Sequence, residues 1–562
     1  MSSATPAPTP RVRRLPLTGV LRLGRPSDIW FKPALSAVAS VAPPNLTLLA
    51  LGRLDLAMYT MAGSLCALYA HNKPYAARAR ALLWVVLGMI AGLAVALVTA
   101  SLTTNAVVLV TVGAALAAVQ KGLCDATRIG PPGNVVLTFI SSASLFAPQT
   151  LGQVPGHLAL AAAAGAWAWL VGMAPALARP YGPERRATAQ ALNATATYAA
   201  AHGTGDGDAR ARAAAAAAVH AAWQSLLATG TRTPPRRALE RLLVRAEVAL
   251  AAPADADPER LRTWARELRG RGPVPQTDVP EGAVDELLGV DAELAAPVSP
   301  LWTRLGPPAP LVLRTALGCA LAGYVSLALG VGRPYWALVT AASLYQANIT
   351  LTWGRGVQRV VGNLAGVLVF AVVAPLAHAH PAALVLCCLA FNFGAEALIG
   401  RNYWLGSVCV TPMALLITEF ARTQQPGELI AERVVDTLVG ALVGLVAAAV
   451  VTNRRATDRI EEALSAVERA RERAARRLAE QAPARGSLDS AHRALAAALV
   501  ELRATVDAAS GEWWQRALPQ ERVVLAEQSG HRTLAATVRR RESHSWPTGD
   551  RRTGGKTEGV RG

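Results

Sequence analysis

From Pro33 onward, apolar runs of roughly 17 to 23 residues follow one another with short polar breaks. Each is long enough to cross a hydrocarbon core of about 30 Å at 1.5 Å per residue. Six such spans are predicted at about 34–52, 54–70, 81–100, 104–120, 134–149 and 157–178. The pattern then changes. Residues 179–305 read as soluble, with Arg- and Ala-rich helical stretches near 184–201, 209–229, 235–252 and 257–269 separated by turn-forming Gly, Pro and Asp clusters. Six more apolar spans follow at about 310–331, 335–351, 357–376, 382–399, 402–419 and 430–452. A charged amphipathic helix begins after 453 (RIEEALSAVERARERAARRLAEQ), and a second Ala-rich helix covers about 487–509.

These transitions set the domain boundaries: a basic N-terminus at 1–32 expected to be disordered, a first six-helix membrane region at 33–178, and a cytoplasmic helical region at 179–305. A second six-helix membrane region follows at 306–452, then a cytoplasmic helical tail at 453–538 and a disordered end at 539–562. The predicted fold is an all-α membrane protein with about twelve transmembrane helices in two six-helix repeats. Residues 1–32 are Pro-rich and lack a short apolar core ending in a small-residue cleavage site, so they do not read as a signal peptide.

The loops orient the bundle. With the N-terminus inside, the loops carrying Lys73, Arg78 and Arg80, Lys121 and Arg128, Arg355 and Arg359, and Arg401 all fall inside. Loops 101–104, 150–156 and 377–381 fall outside and contain no Lys or Arg, which is the positive-inside pattern. Arg53, Arg333 and Arg422 are single exceptions. Twelve spans put both termini and the central insert in the cytoplasm, with the chain in a bacterial plasma membrane.

Composition agrees with a lipid environment: 52% hydrophobic and 17% charged, against about 25% charged in average soluble chains. The net charge of +18 over 562 residues first suggests nucleic acid or a membrane surface. The position of the arginines decides for topology and anionic lipid, and no nucleic-acid partner is expected. Only four of the 56 basic residues are Lys, a bias that fits a GC-rich bacterial genome. The six cysteines have no paired CxxC spacing and read as small hydrophobes. No P-loop is present, and neither a metal nor a cofactor is expected. The His378/His380 pair on an outer loop lacks a nearby third ligand. Asn193-Ala-Thr195 fits a glycosylation acceptor only by pattern, its position being cytoplasmic. Trp513 and Trp514 read as packing residues of the soluble helices.

The two halves repeat one signature. Ser64-Leu65 precedes Gly88 and Gly92, and Ser343-Leu344 precedes Gly362 and Gly366, so each half carries GxxxG on its third span. Such spacing allows close helix approach, within one chain or between two, which leaves a homodimer open. An even number of spans separates the copies, so the repeats are parallel and related by an axis along the membrane normal. They differ in polarity. The second half has Arg359 where the first has Val85, and its last span opens with Glu432, Arg433, Asp436 and Thr437 followed by Gly440 and Gly444. Asn392 and Glu396 share a helix face on the tenth span, and Arg314 lies one turn inside the seventh. Ionisable groups at this depth cost several kcal/mol unless paired or hydrated. They mark either a functional path or ion pairs that lock the bundle, and Arg314 and Arg359 also fit snorkelling.

The segment Arg333-Pro-Tyr-Trp-Ala-Leu-Val-Thr340, continuing through Arg359-Val-Val-Gly362 and Gly366, together with Arg433-Val-Val-Asp-Thr437-Leu-Val-Gly440, resembles the FUSC-type integral membrane transporters. That family covers fusaric acid resistance proteins, aromatic carboxylic acid exporters and, more distantly, plant aluminium-activated malate channels. The resemblance covers about 310–452; the first half is similar only in layout. Asn363 stands where such proteins often have Thr. The resemblance implies that Tyr335, Trp336, Arg359, Arg433 and Thr437 lie near a functional seam.

An exporter of aromatic or other hydrophobic carboxylates needs a cation for the carboxylate, a flat apolar wall for the ring, and a titratable carboxylate if protons drive it. Arg359 and Arg433 fit the first requirement. Tyr335 and Trp336 fit the second, although interfacial aromatics also serve as belt anchors. Asp436, Glu396 or Glu432 fits the third. A passive organic-anion channel, lacking the coupling carboxylate, and a non-transporting scaffold with partner-binding cytoplasmic helices are the competing readings; an enzyme is not expected.

Overall fold

The computed structural model describes residues 17–24, 30–202, 208–228, 233–276, 309–420, 424–451, 456–481, 486–510 and 519–545. Trp513, Trp514 and Arg422, and most of both chain ends, lie outside the described residues. No strand occurs among the described residues. In chain order the helices are α1 (Phe31–Ala50), α2 (Ala57–Ser64), α3 (Tyr75–Leu102), α4 (Ala106–Thr127), α5 (Val135–Leu145) and α6 (Val154–Met173). Then come α7 (Gly182–Ala201), α8 (Asp208–Leu227), α9 (Pro234–Ala251), α10 (Pro258–Arg269), α11 (Ala309–Ala328), α12 (Tyr335–Leu344) and α13 (Ile349–His378). The last are α14 (Pro381–Ile399), α15 (Tyr403–Glu419), α16 (Pro426–Val450), α17 (Ala456–Ala479), α18 (Ser487–Ser510) and α19 (Gln520–Ser545). They fall into two compact units: one drawn from 1–180, 297–457 and 506–518, the other from 181–296, 458–505 and 519–562.

In the first unit a helical segment occupies each of the twelve predicted spans, but among the described residues eight rather than twelve are long and apolar enough to cross a membrane: α1, α3, α4, α6, α11, α13, α14 and α16. The shorter apolar segments lie at Leu54–Leu68, Val135–Leu145, Tyr335–Leu344 and Tyr403–Glu419, second and fifth in each set. Local chemistry explains the difference. The run predicted over 335–351 is cut because the Asn348 side chain accepts the Leu351 N–H and starts α13. Asn402 likewise caps α15 by accepting from Trp404. The segment around α2 is broken into 3-10 turns at Leu54–Leu56 and Leu65–Leu68. Every residue of α12 is buried, so protein rather than lipid surrounds it, as an all-apolar helix requires.

Within the first half, α2 packs on α6, α3 on α5 and α6, and α4 on α5. Within the second, α12 packs on α16, α13 on α15 and α16, and α14 on α15. Across the halves α1 packs on α14 and α11 on α4. One end of this unit brings together His71 with Arg78, Trp169 with the Ala79 carbonyl, and Arg314 with the Val451 carbonyl. The opposite end pairs Gln149 with the Leu97 carbonyl and Arg333 with Glu432. Residues 17–24, within the stretch expected to be disordered, bind the first of these ends through Gln358, Arg401, Asn402 and Trp404.

The second unit joins helices that the sequence presents as separate insert and tail. Its core includes Ala189, Leu192, Trp223, Leu239, Leu242, Leu243, Leu261 and Leu268. At its centre Trp223 Nε1 donates to Glu247 at 2.8 Å, His492 Nε2 lies 3.5 Å from the same carboxylate, and His492 Nδ1 is 2.7 Å from the Thr537 hydroxyl. α19 extends past Arg539 to Ser545, where a polar tail was expected.

Candidate anion site

The polar groups of the second half converge on α12, α13, α15 and α16. Arg433 on α16 is 1% exposed, and its guanidinium carbon lies 4.0 Å over the Trp336 ring. Arg359 on α13 is 3% exposed and donates to the Tyr403 hydroxyl at 3.2 Å. Between them, Asn363 donates to Thr437 at 2.9 Å and accepts from Thr411 at 2.8 Å, while Thr437 donates to the Arg433 carbonyl at 2.7 Å. α13 and α16 run antiparallel, so the two arginines flank the Asn363–Thr437 bond from opposite sides, and their charges interact across it. Asp436, fully buried, accepts from Ser326 at 2.6 Å.

Several strong groups stay unsatisfied. Nε and Nη1 of Arg433, Nε of Arg359 and the second carboxylate oxygen of Asp436 have no hydrogen-bond partner among the described residues. Buried polar groups are ordinarily paired, and an uncompensated buried charge costs several kcal/mol. Two buried guanidiniums with no ion pair among the described residues carry an excess positive charge, which a carboxylate ligand would neutralise while accepting the free N–H groups.

The aromatic residues are also here, already in use. Trp336 stacks on Phe139 of α5 at 5.5 Å and contacts Tyr335 at 4.9 Å, and Tyr335 meets Phe146 at 5.7 Å. With Arg433 above it and Phe139 beside it, Trp336 holds the guanidinium in place by cation–π attraction.

Other predicted residues lie apart. Glu432 pairs with Arg333 at 3.0 Å, and Arg333 also donates to Gln424. Arg314 donates to the Val451 carbonyl at the C-terminal end of α16, where a cation offsets the helix dipole. Asn392 is buried with its amide nitrogen unpaired, and no hydrogen bond or ion pair among the described residues ties it or Glu396 to the arginines. His378 pairs with Glu419 at 3.0 Å, and His380 caps α14 by accepting from Ala382.

The glycines divide in the same way. A Cβ on Gly362 would sit 2.5 Å from Ser407 Cβ, one on Gly366 2.7 Å from Thr411 Cβ, and one on Gly444 2.9 Å from Leu344 Cδ1. One on Gly440 would meet the Ala337 carbonyl, and one on Gly92 the Gln120 amide at 2.8 Å. Gly88 has nothing within 4 Å.

Tyr403, Ser407 and Thr411 are the site residues the sequence reading passed over. Their four-residue spacing on an apolar segment was the available signal.

No curated protein and no solved structure matches the chain. Residues 320–447, the stretch that carries Trp336, Arg359, Tyr403, Arg433 and Asp436, match the family model described as fusaric acid resistance protein-like. This match supports a FUSC-type family for that stretch, and the apolar helices around it agree with a multi-pass membrane protein.

Proposed function

We propose that the protein exports organic anions, aromatic or otherwise hydrophobic carboxylates, from the cytoplasm across a bacterial plasma membrane in exchange for protons. The observation that carries this reading is the buried pair Arg359 and Arg433 with unpaired N–H donors. Transport needs a site of this kind, at membrane depth and satisfied only by a passing ligand. The description of the matched family, which refers to resistance to an acid, agrees with an anionic cargo. Asp436 is the coupling carboxylate in this reading, because it stands three residues beyond Arg433 on α16 and keeps one oxygen free.

The reading includes two parallel six-helix repeats. Its support is that exchanging the halves preserves the packing pattern: α2–α6 corresponds to α12–α16, α3–α5 to α13–α15, and α1–α14 to α11–α4. Lys73, Arg78, Arg80, Lys121, Arg128, Arg355 and Arg401 belong to the end that also holds residues 17–24, which supports a cytoplasmic assignment for that end. A lipid bilayer is the surrounding partner.

The test is uptake of radiolabelled benzoate into proteoliposomes. Arg433→Ala and Arg359→Ala, reconstituted at wild-type levels, should each lower uptake on the order of 100-fold, the effect of stripping a buried charge from its ligand. Wild-type rates in both variants would refute the assignment.

A further inference from the structure

Residues Leu17–Gly24 lie in a Pro-rich, basic stretch with no periodicity, yet they hold a defined conformation. Gly19 adopts a left-handed φ of +87°, and the Arg22 N–H closes the turn on the Gly19 carbonyl at 3.1 Å. Three consecutive carbonyls are then taken by side chains of the second half. Gln358 donates to Val20 at 2.9 Å, Asn402 to Val20 at 3.1 Å and to Arg22 at 3.0 Å, and Trp404 Nε1 to Leu21 at 3.2 Å. The Gly24 N–H donates to the Arg401 carbonyl at 2.8 Å, and a Cβ there would stand 3.0 Å from that oxygen.

The residues that hold this peptide adjoin the anion site in sequence. Gln358 precedes Arg359, and Asn402 and Trp404 flank Tyr403, whose hydroxyl takes the Arg359 N–H. The Tyr403 ring also carries Arg355 at 3.9 Å, one turn nearer this end on the helix that bears Arg359. Arg355, Tyr403 and Arg359 therefore form a column that runs from this end toward the site of Arg433, with the peptide docked on the residues that flank Tyr403.

We propose that Leu17–Gly24 is an intramolecular strap that closes the approach to the arginine site from the end assigned above to the cytoplasm, and that its release admits the anion. This rests on the anion-transport reading. The mode of attachment suits release. Leu17, Leu21 and Leu23 are 66%, 41% and 49% exposed, so the strap is held by backbone hydrogen bonds rather than by buried side chains. Each neutral hydrogen bond changes occupancy by roughly fivefold, because water replaces it.

Two readouts on the full-length protein, neither requiring transport, test the proposal in vesicles whose cytoplasmic face is outward. One is tryptic cleavage after Arg22. The other is reaction of Ser407→Cys with a membrane-impermeant maleimide, in a chain whose six native cysteines are changed to alanine. Ser407 is 2% exposed and one turn beyond Tyr403. Gly24→Val, which pushes the strap off the Arg401 carbonyl without touching the helices, should raise both signals by about fivefold or more; Gln358→Ala should act in the same direction. Increased cleavage with unchanged labelling would overturn the proposal, since the segment would then be an anchor that closes nothing. No change in either signal with both variants would overturn it too. If both signals rise while the wild type takes up no benzoate, the closing role stands and the transport reading falls.

Discussion

The two membrane halves pack alike and differ in chemistry. In the first, the network between α4 and α5 is neutral and internally bonded, with Gln120 donating to Ser141 at 2.9 Å, Thr138 to Gln120 at 3.0 Å and Asn134 to Thr138 at 3.2 Å, while the Ser142 and Ser144 hydroxyls and Nε of Arg78 keep no partner among the described residues. In the second, α13 and α16 carry two arginines and an aspartate with free polar atoms. Both halves use a glycine on the third helix to approach the fifth: Gly92 at Ser141, Gly366 at Thr411. The packing is thus independent of charge, and the second half adds groups that cost stability without a ligand. A purely structural ion-pair lock would satisfy its own hydrogen bonds, whereas this cluster does not.

The comparison can be strained first at the packing level, where the largest stability effect is expected. Gly440→Ala drives a methyl against the Ala337 carbonyl and to 2.8 Å from Thr340 Cβ, and should destabilise the protein by about 3 kcal/mol. The same substitution at Gly88, which has nothing within 4 Å, should gain up to about 1 kcal/mol from helix propensity. Thermal unfolding in detergent measures both. Equal effects would mean that the α12–α16 contact is not the tight one.

Asp436→Asn should have a narrower effect. Acceleration of benzoate efflux by an imposed proton gradient should vanish while downhill exchange persists, and a pH-independent wild type would assign the protein to the channel class instead.

The smallest expected effect lies outside both halves. On α19, burial and the nearby Arg212 push the His531 imidazole down to about 4. Its unfolded value is about 6.5, so the folded unit binds fewer protons. This contribution is complete above about 6.5 and is lost as pH falls toward about 4. Protection of α19 against hydrogen exchange, taken relative to the intrinsic amide exchange rate at each pH, should therefore fall between pH 7 and 5 in wild type and less so in His531→Phe.

Much of the fold was legible because lipid imposes length and apolarity on α1, α3, α4, α6, α11, α13, α14 and α16. The short segments were less so: hydropathy cannot separate a buried helix from a spanning one, and the cut at Tyr345 depends on the Asn348 cap. For the site, Arg359, Arg433, Asp436 and Thr437 stood out by charge or resemblance, and the structure brings them together. That Trp336 is occupied by Arg433, and that Glu432 is held by Arg333, depends on contacts across 97 and 99 residues, which no local pattern encodes. The joining of insert and tail through Glu247 and His492 is hidden for the same reason.

The central claim is that the anion is bound by the second half and not by the first. Titrating purified protein with benzoate and following thermal stabilisation tests it most directly, with Arg433→Ala set against Gln120→Leu, which cuts the neutral network of the first half. Wild type and Gln120→Leu should be stabilised to the same extent and Arg433→Ala not at all. Stabilisation that survives in Arg433→Ala but disappears in Gln120→Leu would place the site in the other half and contradict the account.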